Sequence, residues 1–423
     1  MGFTVTKSPS VLVPPSAPTP PGDLPLSSID RTAAVRSLVD MMLVYDHGDN
    51  DPANFLKRAL SMALVAYFPI AGRLVQSTPG DLHVACTGDG VWFVEAAADC
   101  TLQQVNNLEL PRMIPKPDLL PSPPPEVDLE SLIFLMQVTR FSCGGFVVSM
   151  RSSHVVLDGL GAAQFLKAIA EMARGLPALS TAPIWSRDSI PSPAKLPPRA
   201  PLLSFTSFPF ITCSLDLSVE SITKIKNQFI SGTGHNCSTF DAVTALFWQC
   251  RTRAVGMDPA AEVSLGFAIN IRHLLGRVLP RGGGGYYGNG VFPMAVRATC
   301  GVVAIAPLAE VVHMIRGAKE RADVKFAGWM AGEEDEDSYR AAADYAACFV
   351  ADWRTLGFSE LDYGWGDPVN VVPLIDDCNL VASCILMRPP APAQGVRLIA
   401  RCVVKEHLAA FTDEVMKLTE DLY

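Results

Sequence analysis

The chain has 423 residues, of which 49% are hydrophobic and 18% charged, a composition typical of a well-packed globular protein. A chain of this length normally divides into two domains. The net charge of −9 comes without a basic stripe, so nucleic acids and anionic membrane surfaces are not expected as partners.

The first half of the sequence alternates helical and strand patterns. Residues 62–74 predict the end of an amphipathic helix stopped by Pro69. Two apolar runs within 81–96, joined by Gly-Asp-Gly, predict a β-hairpin. Residues 133–154 predict two further strands separated by a glycine pair. Apolar side chains then recur at helical spacing through 160–173, which predicts a helix with one buried face.

Residues 181–204 predict a crossover linker, because this segment is rich in proline and its apolar residues follow neither helical nor strand spacing. The predicted domains are therefore 1–180 and 205–423. The second half repeats the alternation, with a capped helix near 236–253, a strand near 263–272, a glycine-rich loop at 281–290 and a helix near 308–322. No GxGxxG or GxxxxGK[ST] loop is present, so a nucleotide site of either kind is not indicated.

Cysteine usage and the chain ends bear on the cellular compartment. The 11 cysteines are scattered from Cys86 to Cys402 without a CxxC pair, which argues against a disulfide framework or a thiolate zinc site. The N-terminal region is polar and proline-rich, unlike a secretory signal. No run approaches the ~18 apolar residues of a membrane helix. A cytoplasmic protein with reduced thiols is expected.

The first candidate site is His154, four residues before Asp158 at the end of a predicted strand. A zinc site needs further ligands, and the other histidines are dispersed singly. No GxSxG elbow and no cysteine in a nucleophile context is found. The remaining chemical interpretation is a general base, because imidazole titrates near neutral pH. A histidine merely hydrogen-bonded at a strand end stays open as the alternative.

The second candidate is the stretch LDYGWGDPVN, in which Gly364 and Gly366 flank Trp365, and Asp362 and Asp367 lie outside them. Alternating glycines indicate a tight turn or a close approach of two backbones. An indole between glycines has little local support, so another part of the fold must position it. A hairpin with a packed tryptophan is the alternative.

Both stretches resemble the HxxxD and DFGWG motifs of the plant BAHD acyl-CoA-dependent acyltransferases. HxxxD alone is a weak pattern, but further segments agree with that family in order and spacing over essentially the whole chain. These segments are YFPIAGRL (67–74), CTGDGVWFVEA (86–96), QVTRFSCGGFVVS (137–149), STFDAVTALFW (238–248), NIR (270–272) and YYGNGVF (286–292).

The resemblance implies an α/β fold of two similar-sized domains related to chloramphenicol acetyltransferase, with a solvent channel between them. A segment near 367–385 would cross back to the first domain. Acyl-CoA would enter as co-substrate, with no permanently bound cofactor and no metal. His154 would deprotonate the acceptor, which would attack the thioester without a covalent acyl-enzyme.

The resemblance also assigns supporting roles. Asp158 would point away from the channel and pair with Arg272, although Asn270 replaces the aspartate usual two residues earlier. Asp362, Gly364, Trp365 and Gly366 would be structural, with Tyr363 in place of the usual phenylalanine.

The resemblance implies in addition that Ser238 and Thr239 contact CoA. A simple helix N-cap at either residue is the competing interpretation.

Acceptor selectivity is predicted from Asp367. Family members that use shikimate or quinate often have a basic residue directly after DFGWG, whereas a carboxylate there would repel an anionic acceptor. The MGFTV opening, LSSIDR (26–31) and DPVNVVPL resemble the grass branch that acylates monolignols with p-coumaroyl-CoA. The prediction is therefore a monomeric transferase that moves a p-coumaroyl group to a neutral alcohol, a monolignol.

Two alternatives stay open. One is a family member with another donor or acceptor, such as acetyl-CoA with an alcohol or terpenoid, or hydroxycinnamoyl-CoA with shikimate or quinate. The other is a catalytically inactive binding protein, against which the intact His154 and Asp158 argue.

Overall fold

The computed structural model describes residues 2–48, 51–77, 82–193, 207–333, 338–339 and 344–420. The chain divides into two compact units. The first consists of Met1–Ser192, Ile271–Gly290 and Thr355–Leu374, and the second of Pro193–Asn270, Val291–Arg354 and Ile375–Tyr423. The predicted linker 181–204 is described only as far as residue 193, and its remainder lies outside the described residues.

The regular elements of the described residues follow in chain order. The strands are β1 (Val5–Lys7), β2 (Val11–Val13), β3 (Asp23–Pro25), β4 (Leu38–Tyr45), β5 (Arg73–Gln76), β6 (Leu82–Ala85), β7 (Val91–Ala98), β8 (Phe134–Arg140), β9 (Phe146–Ser153), β10 (Phe210–Leu217), β11 (Glu262–Asn270), β12 (Val291–Thr299), β13 (Ala347–Asp352), β14 (Asn370–Pro373), β15 (Ala382–Met387) and β16 (Val396–Val404). The α-helices are α1 (Pro52–Ala66), α2 (Lys116–Leu119), α3 (Gly159–Ala173), α4 (Val219–Thr233), α5 (Thr239–Val255), α6 (Arg272–Leu275), α7 (Cys300–Ile305), α8 (Leu308–Glu320), α9 (Ala322–Ala331) and α10 (Lys405–Glu420). Short 3-10 helices cover Ala33–Val35, Phe68–Ala71, Gln103–Leu108, Leu129–Ser131, Arg187–Ser189, Pro280–Gly283 and Phe358–Glu360.

The first unit is built on a sheet in the order β1-β7-β8-β9-β4-β14, with β2 also paired to β7. The pairs are antiparallel except for the parallel pair of β7 and β8. The central strands β8 and β9 are buried along almost their whole length, as expected for strands covered on both faces. α1 and α3 pack against each other. The small sheet β3-β6-β5 belongs to the same unit.

Most of the elements predicted for this unit are confirmed. The two strands of 133–154 are β8 and β9, which pair as an antiparallel hairpin. The helix of 160–173 is α3. α1 ends at Ala66, and a 3-10 helix that contains Pro69 follows it.

The hairpin predicted within 81–96 is wrong, because β6 pairs with β3 and β5 whereas β7 pairs with β1, β2 and β8. The glycines turn the chain, but the apolar residues of β7 are buried by strands on both of its sides in the larger sheet. The turn therefore joins two sheets.

The second unit is built on a sheet in the order β10-β16-β15-β13-β11-β12. β13 runs parallel to β11 and β15, and the other neighbours are antiparallel. α5 contacts α4, α7, α8 and α10 and is buried continuously from Asp241 to Thr252. Among the described residues no helix combines the length and apolar character needed to cross a membrane. The predicted mixed α/β fold with two domains is confirmed.

The start of α3 depends on a close backbone contact inside the first unit. A Cβ added at Gly161 would stand 2.1 Å from the carbonyl oxygen of Tyr287, which cannot rotate away. We expect Gly161→Ala to lower the free energy of unfolding by about 1–3 kcal/mol, measured by urea titration. Gly232 of α4 is the matched control, because nothing lies within 4 Å of an added Cβ there. Gly232→Ala should cost nothing and can stabilise by up to about 1 kcal/mol, and equal urea midpoints for the two variants would contradict the analysis.

Candidate active site

The HVVLD stretch contains a strand end, a turn and a helix cap in succession. β9 ends at Ser153, and the backbone N–H of His154 donates to the carbonyl oxygen of Ser37 at 2.9 Å. Asp158 is the N-cap of α3, and its carboxylate accepts from the backbone N–H of Gly161 at 2.8 Å. His154 therefore lies on the strand side of the turn and Asp158 on the helix side, where their side chains meet different partners.

The carboxylate of Asp158 is only 3% exposed and is fully hydrogen-bonded. Arg272 donates to it from both terminal nitrogens, at 2.9 and 2.8 Å, and the backbone N–H of Gly290 donates at 3.0 Å. Burial alone raises the pKa of Asp158, but the positive charge of Arg272 and these hydrogen bonds outweigh it, and the pKa lies below its ordinary value. Asp158 is thus a charged residue that joins α3 to Arg272 and Gly290. Both of its carboxylate oxygens already accept hydrogen bonds.

The ring of His154 is half-buried and is bound on one side only. Its Nδ1 lies 3.0 Å from Oδ1 of Asn289. Within the described part of the chain its Nε2 has no hydrogen-bond partner. Of the two ring nitrogens, Nε2 is therefore the one that is not engaged by the described residues.

Asn289 links His154 to a second buried ion pair. Its side-chain nitrogen lies 2.8 Å from the carbonyl oxygen of His154, 3.2 Å from that of Val155 and 2.8 Å from Oδ1 of Asp30. Asp30 accepts from Arg187 at 2.8 Å, and neither side chain is exposed. Burial lowers the pKa of Arg187, but the Asp30 carboxylate reverses that effect and holds the pKa above its ordinary value.

The glycines on either side of Asn289 allow two arginines to approach the backbone. A Cβ at Gly290 would stand 2.7 Å from Nη1 of Arg272, and one at Gly288 would stand 2.7 Å from Nη1 of Arg187. Arg272 also donates to the carbonyl oxygen of Gly288 at 2.7 Å. The Gly-Asn-Gly stretch is therefore held between the two buried ion pairs.

The DYGWG stretch forms a compact turn. The carboxylate of Asp362 accepts from the backbone N–H groups of Gly364 and Gly366 at 2.7 and 2.8 Å. Tyr363 is fully buried, burial raises the pKa of its phenol, and its hydroxyl has no partner among the described atoms. Asp367 is exposed at the end of the turn.

Trp365 lies far from His154. Its ring packs edge-on against Phe55 of α1 and Phe146 of β9, with centroid distances of 5.1 and 5.3 Å. Phe146 is the first residue of β9 and His154 follows the last, so at about 3.3 Å per residue roughly 25 Å of strand separates them. The indole of Trp365 is therefore too far from His154 to contact a group that lies against the His154 ring.

Ser238 occupies a helix cap in the second unit. Its hydroxyl accepts from the backbone N–H of Asp241 at 3.1 Å, and the carboxylate of Asp241 accepts from the backbone N–H of Ser238 at 2.9 Å. This reciprocal arrangement is the capping box that starts α5. The N-cap interpretation of Ser238 is confirmed.

Asn289, Asp30 and Arg187 were missed as site residues by the sequence analysis. Asn289 and Asp30 lie in segments that served only as family markers, YYGNGVF and LSSIDR, and Arg187 lies in the predicted linker. The signal that could have found Asn289 is a single amide between two glycines. Within the described residues, no group of three or more His, Cys, Asp and Glu side chains is arranged to hold a metal ion.

Comparison with known proteins defines the class. The model of the Transferase family matches residues 3–418, so the chain belongs to this family, the BAHD acyltransferases that use acyl-CoA as co-substrate. It is an acyltransferase.

Two curated relatives and one solved structure illustrate the match. Acyl transferase 4 of Oryza sativa subsp. japonica is 44% identical, over 98% of this chain and 99% of the relative. A myricetin 3-O-glucosyl 1,2-rhamnoside 6'-O-caffeoyltransferase of Crocosmia x crocosmiiflora is 46% identical, over 99% of this chain and 100% of the relative. The crystal structure of vinorine synthase shares the fold with a TM-score of 0.73 at 20% identity, covering 98% of each chain.

The Asp158–Arg272 pair predicts a particular pH dependence of stability. Asp158→Asn should lower the free energy of unfolding by about 3–5 kcal/mol at neutral pH, because it leaves Arg272 without its buried counter-ion. Since the pKa of Asp158 is lowered in the folded state, this stabilisation is fully present above about pH 4 and is lost as the pH falls through the folded-state pKa.

The measurement is a urea titration of both proteins from pH 3 to 9. The difference between wild type and Asp158→Asn should be constant at neutral pH and shrink at acid pH. Asp413→Asn, at an exposed position of α10, is the control and should change stability by less than about 0.5 kcal/mol. A difference that grows at acid pH would contradict the argument.

Proposed function

We propose that this acyltransferase moves a hydroxycinnamoyl group, p-coumaroyl in the first instance, from CoA to the hydroxyl of a neutral acceptor, with His154 as general base. A monolignol is the first candidate acceptor. The observation that carries the mechanism is the half-buried ring of His154, bound at Nδ1 and without a partner at Nε2 among the described residues.

The proposed reaction is a single displacement through a tetrahedral intermediate. Nε2 of His154 takes the proton of the acceptor hydroxyl as its oxygen forms a bond to the thioester carbonyl carbon. The intermediate collapses by breaking the carbon–sulfur bond, and the CoA thiolate takes the proton back from His154. Asp158 makes no direct contact with either substrate in this scheme, because its oxygens already accept hydrogen bonds from Arg272 and two backbone N–H groups.

Ser238 and Thr239 are kept as proposed contacts of CoA. The start of α5 offers backbone N–H groups, and Lys319 lies there with its ammonium 2.7 Å from the Asp241 carboxylate. A helix start of this kind favours phosphate groups. Because the hydroxyl of Ser238 already caps the helix, Thr239 is the better candidate for a direct hydrogen bond.

The donor and the neutral acceptor rest on separate arguments. The caffeoyltransferase relative supports a hydroxycinnamoyl donor. The neutral acceptor rests on the resemblance alone: Asp367 stands where family members that use shikimate or quinate often have a basic residue, and the turn before it lies at the end of β9 away from His154.

A glycoside hydroxyl is a second candidate acceptor. The observation that favours it is the name of the same relative, which transfers caffeoyl to the 6' oxygen of a myricetin glycoside. Both candidates are neutral and carry an aromatic ring, so the charge argument does not separate them.

A donor-by-acceptor matrix tests the proposal. The donors are p-coumaroyl-, feruloyl-, caffeoyl-, acetyl- and malonyl-CoA, and the acceptors are coniferyl alcohol, sinapyl alcohol, a myricetin glycoside, shikimate, quinate and a fatty alcohol. We expect hydroxycinnamoyl donors to exceed acetyl- and malonyl-CoA, and neutral aromatic acceptors to exceed the acids, in ester formed per minute. His154→Ala should lower kcat by about 10²–10⁴-fold with the best pair, because it removes the base.

The control is His235→Ala, at an exposed histidine after α4, which should leave kcat unchanged. A His154→Ala variant that keeps most of its activity would refute the mechanism. A preference for acetyl-CoA over the hydroxycinnamoyl donors would refute the donor assignment and would leave the proposed role of His154 unaffected.

Asp367→Arg tests the acceptor assignment. If position 367 contacts the acceptor, as the resemblance implies, kcat/KM for shikimate should rise at least about tenfold, because one charge-assisted contact with the acceptor carboxylate replaces a repulsion. Asp367→Asn, which removes the negative charge only, should give a smaller gain. No gain for shikimate in either variant would mean that position 367 does not face the acceptor.

A further inference from the structure

We propose that Asp30 and Asn289 are positioning residues that hold the proton of the neutral His154 ring on Nδ1 and leave Nε2 as the basic nitrogen. The inference rests on the proposed function, in which His154 takes the acceptor proton. It concerns residues that do not touch the substrate and act through His154.

The orientation of the Asn289 amide is determined by its neighbours. Its side-chain nitrogen lies at hydrogen-bond distance from the carbonyl oxygens of His154 and Val155 and from Oδ1 of Asp30, at 2.8, 3.2 and 2.8 Å. All three are acceptors. A reversed amide would place its oxygen against these three oxygens in a site that is 0% exposed, where water cannot relieve the repulsion.

The orientation of the amide determines the proton on the imidazole. With its nitrogen committed to those acceptors, Asn289 presents Oδ1 to Nδ1 of His154 at 3.0 Å. An amide oxygen can only accept, so Nδ1 must carry the hydrogen. A neutral imidazole has one N–H, so Nε2 keeps its lone pair for the acceptor hydroxyl.

The other carboxylate oxygen of Asp30, Oδ2, faces only donors. Oδ2 accepts from Nη1 of Arg187 at 2.8 Å and from the backbone N–H of Ser27 at 2.9 Å. The positive charge of the buried Arg187 therefore orients His154 through two intermediate groups, Asp30 and Asn289. Partners of this kind, beyond the reacting group, commonly select the tautomer of a histidine.

The arrangement suits both stages of the reaction. After Nε2 has taken the acceptor proton, Nδ1 still donates to the same Asn289 oxygen, so no polar group has to turn during the step. The negative charge of Asp30 lies one amide away from the ring. It orients the ring without a carboxylate in contact with the imidazolium, unlike the acid of a serine-protease triad.

Asp30→Asn is the variant that tests the inference. Its new amide must keep an oxygen toward Arg187 and Ser27, both of which donate, so its NH₂ group would face the NH₂ group of Asn289. Two donors cannot bond, so the Asn289 amide loses one of the three acceptors that determine its orientation. The carbonyl oxygens of His154 and Val155 still favour the original orientation, and we expect both orientations to be populated. In the reversed orientation Asn289 donates to Nδ1 of His154, and the hydrogen moves to Nε2.

The first readout is ¹⁵N NMR of histidine-labelled protein at pH 8.5, well above the ordinary histidine pKa of about 6.5. Protonated and bare ring nitrogens resonate far apart, and the spectrum of His154→Gln assigns the His154 signals. We expect the Nδ1–H form alone in wild type and a mixture of the Nδ1–H and Nε2–H forms in Asp30→Asn. Asn289→Ala removes the acceptor and should give a mixture of both forms.

The second readout is steady-state kinetics. Asp30→Asn should lower kcat by roughly two- to tenfold, in proportion to the Nδ1–H population that is lost, because only that form has its basic nitrogen at Nε2. KM for acyl-CoA should stay within about threefold, because binding is not the step affected.

Asp40→Asn is the matched control, because Asp40 is also a buried carboxylate of the first unit, paired with Arg151 at 2.9 Å and Lys116 at 3.1 Å. It should lose stability but keep the Nδ1–H form and its kcat.

The outcomes separate this inference from the proposed function. If Nδ1–H remains the only form in both Asp30→Asn and Asn289→Ala, the inference is overturned, as it is by an equal loss of kcat in Asp40→Asn. If Asp30→Asn does not fold, Asn289→Ala decides by the same spectrum. Should His154→Ala keep its activity, the proposed function fails, whereas the NMR result still decides whether the network determines the tautomer.

Discussion

The bidentate ion pair of Asp158 and Arg272 is the interaction on which the rest of the site depends. It joins the start of α3, the start of α6 and the loop that contains Gly290, stretches that are 114 and 132 residues from Asp158 in sequence. The two buried charges lose their hydration. The bidentate contact and the two backbone N–H donors to the carboxylate compensate this loss. Because the carboxylate also caps α3, the same group holds the start of the helix that follows His154.

A second buried pair, Asp30 with Arg187, holds the other side of the same loop. Asn289 lies between the two pairs, and glycines on both sides of it leave room for the guanidinium groups. The ring of His154 is consequently oriented by Asn289, which Asp30 holds in place. The DYGWG turn lies at the opposite end of β9, where Trp365 packs against Phe55 and Phe146. The two family motifs are thus at opposite ends of one strand and make no common site.

Sequence patterns predict the structure correctly where the physics is local. Strand and helix periodicity predicted β8, β9 and α3, and cap chemistry predicted the start of α5. The hairpin prediction between β6 and β7 was wrong, because a Gly-Asp-Gly turn reverses the chain without determining which strands pair. That choice follows from burial of β7 between strands of a larger sheet. Similarly, the proline-rich composition of the segment around Arg187 does not indicate that its guanidinium is completely buried.

The sequence by itself determined the α/β class, the family and the local geometry of the HxxxD stretch, because periodicity, capping and motif order act over a few neighbouring residues. Only the tertiary structure decided how His154 is held. Its partner Asn289 is 135 residues away, and the Asp30 that orients Asn289 lies 259 residues from it. A hydrogen bond selects its partner by distance and direction in the folded chain, and neither quantity is present in the order of the residues.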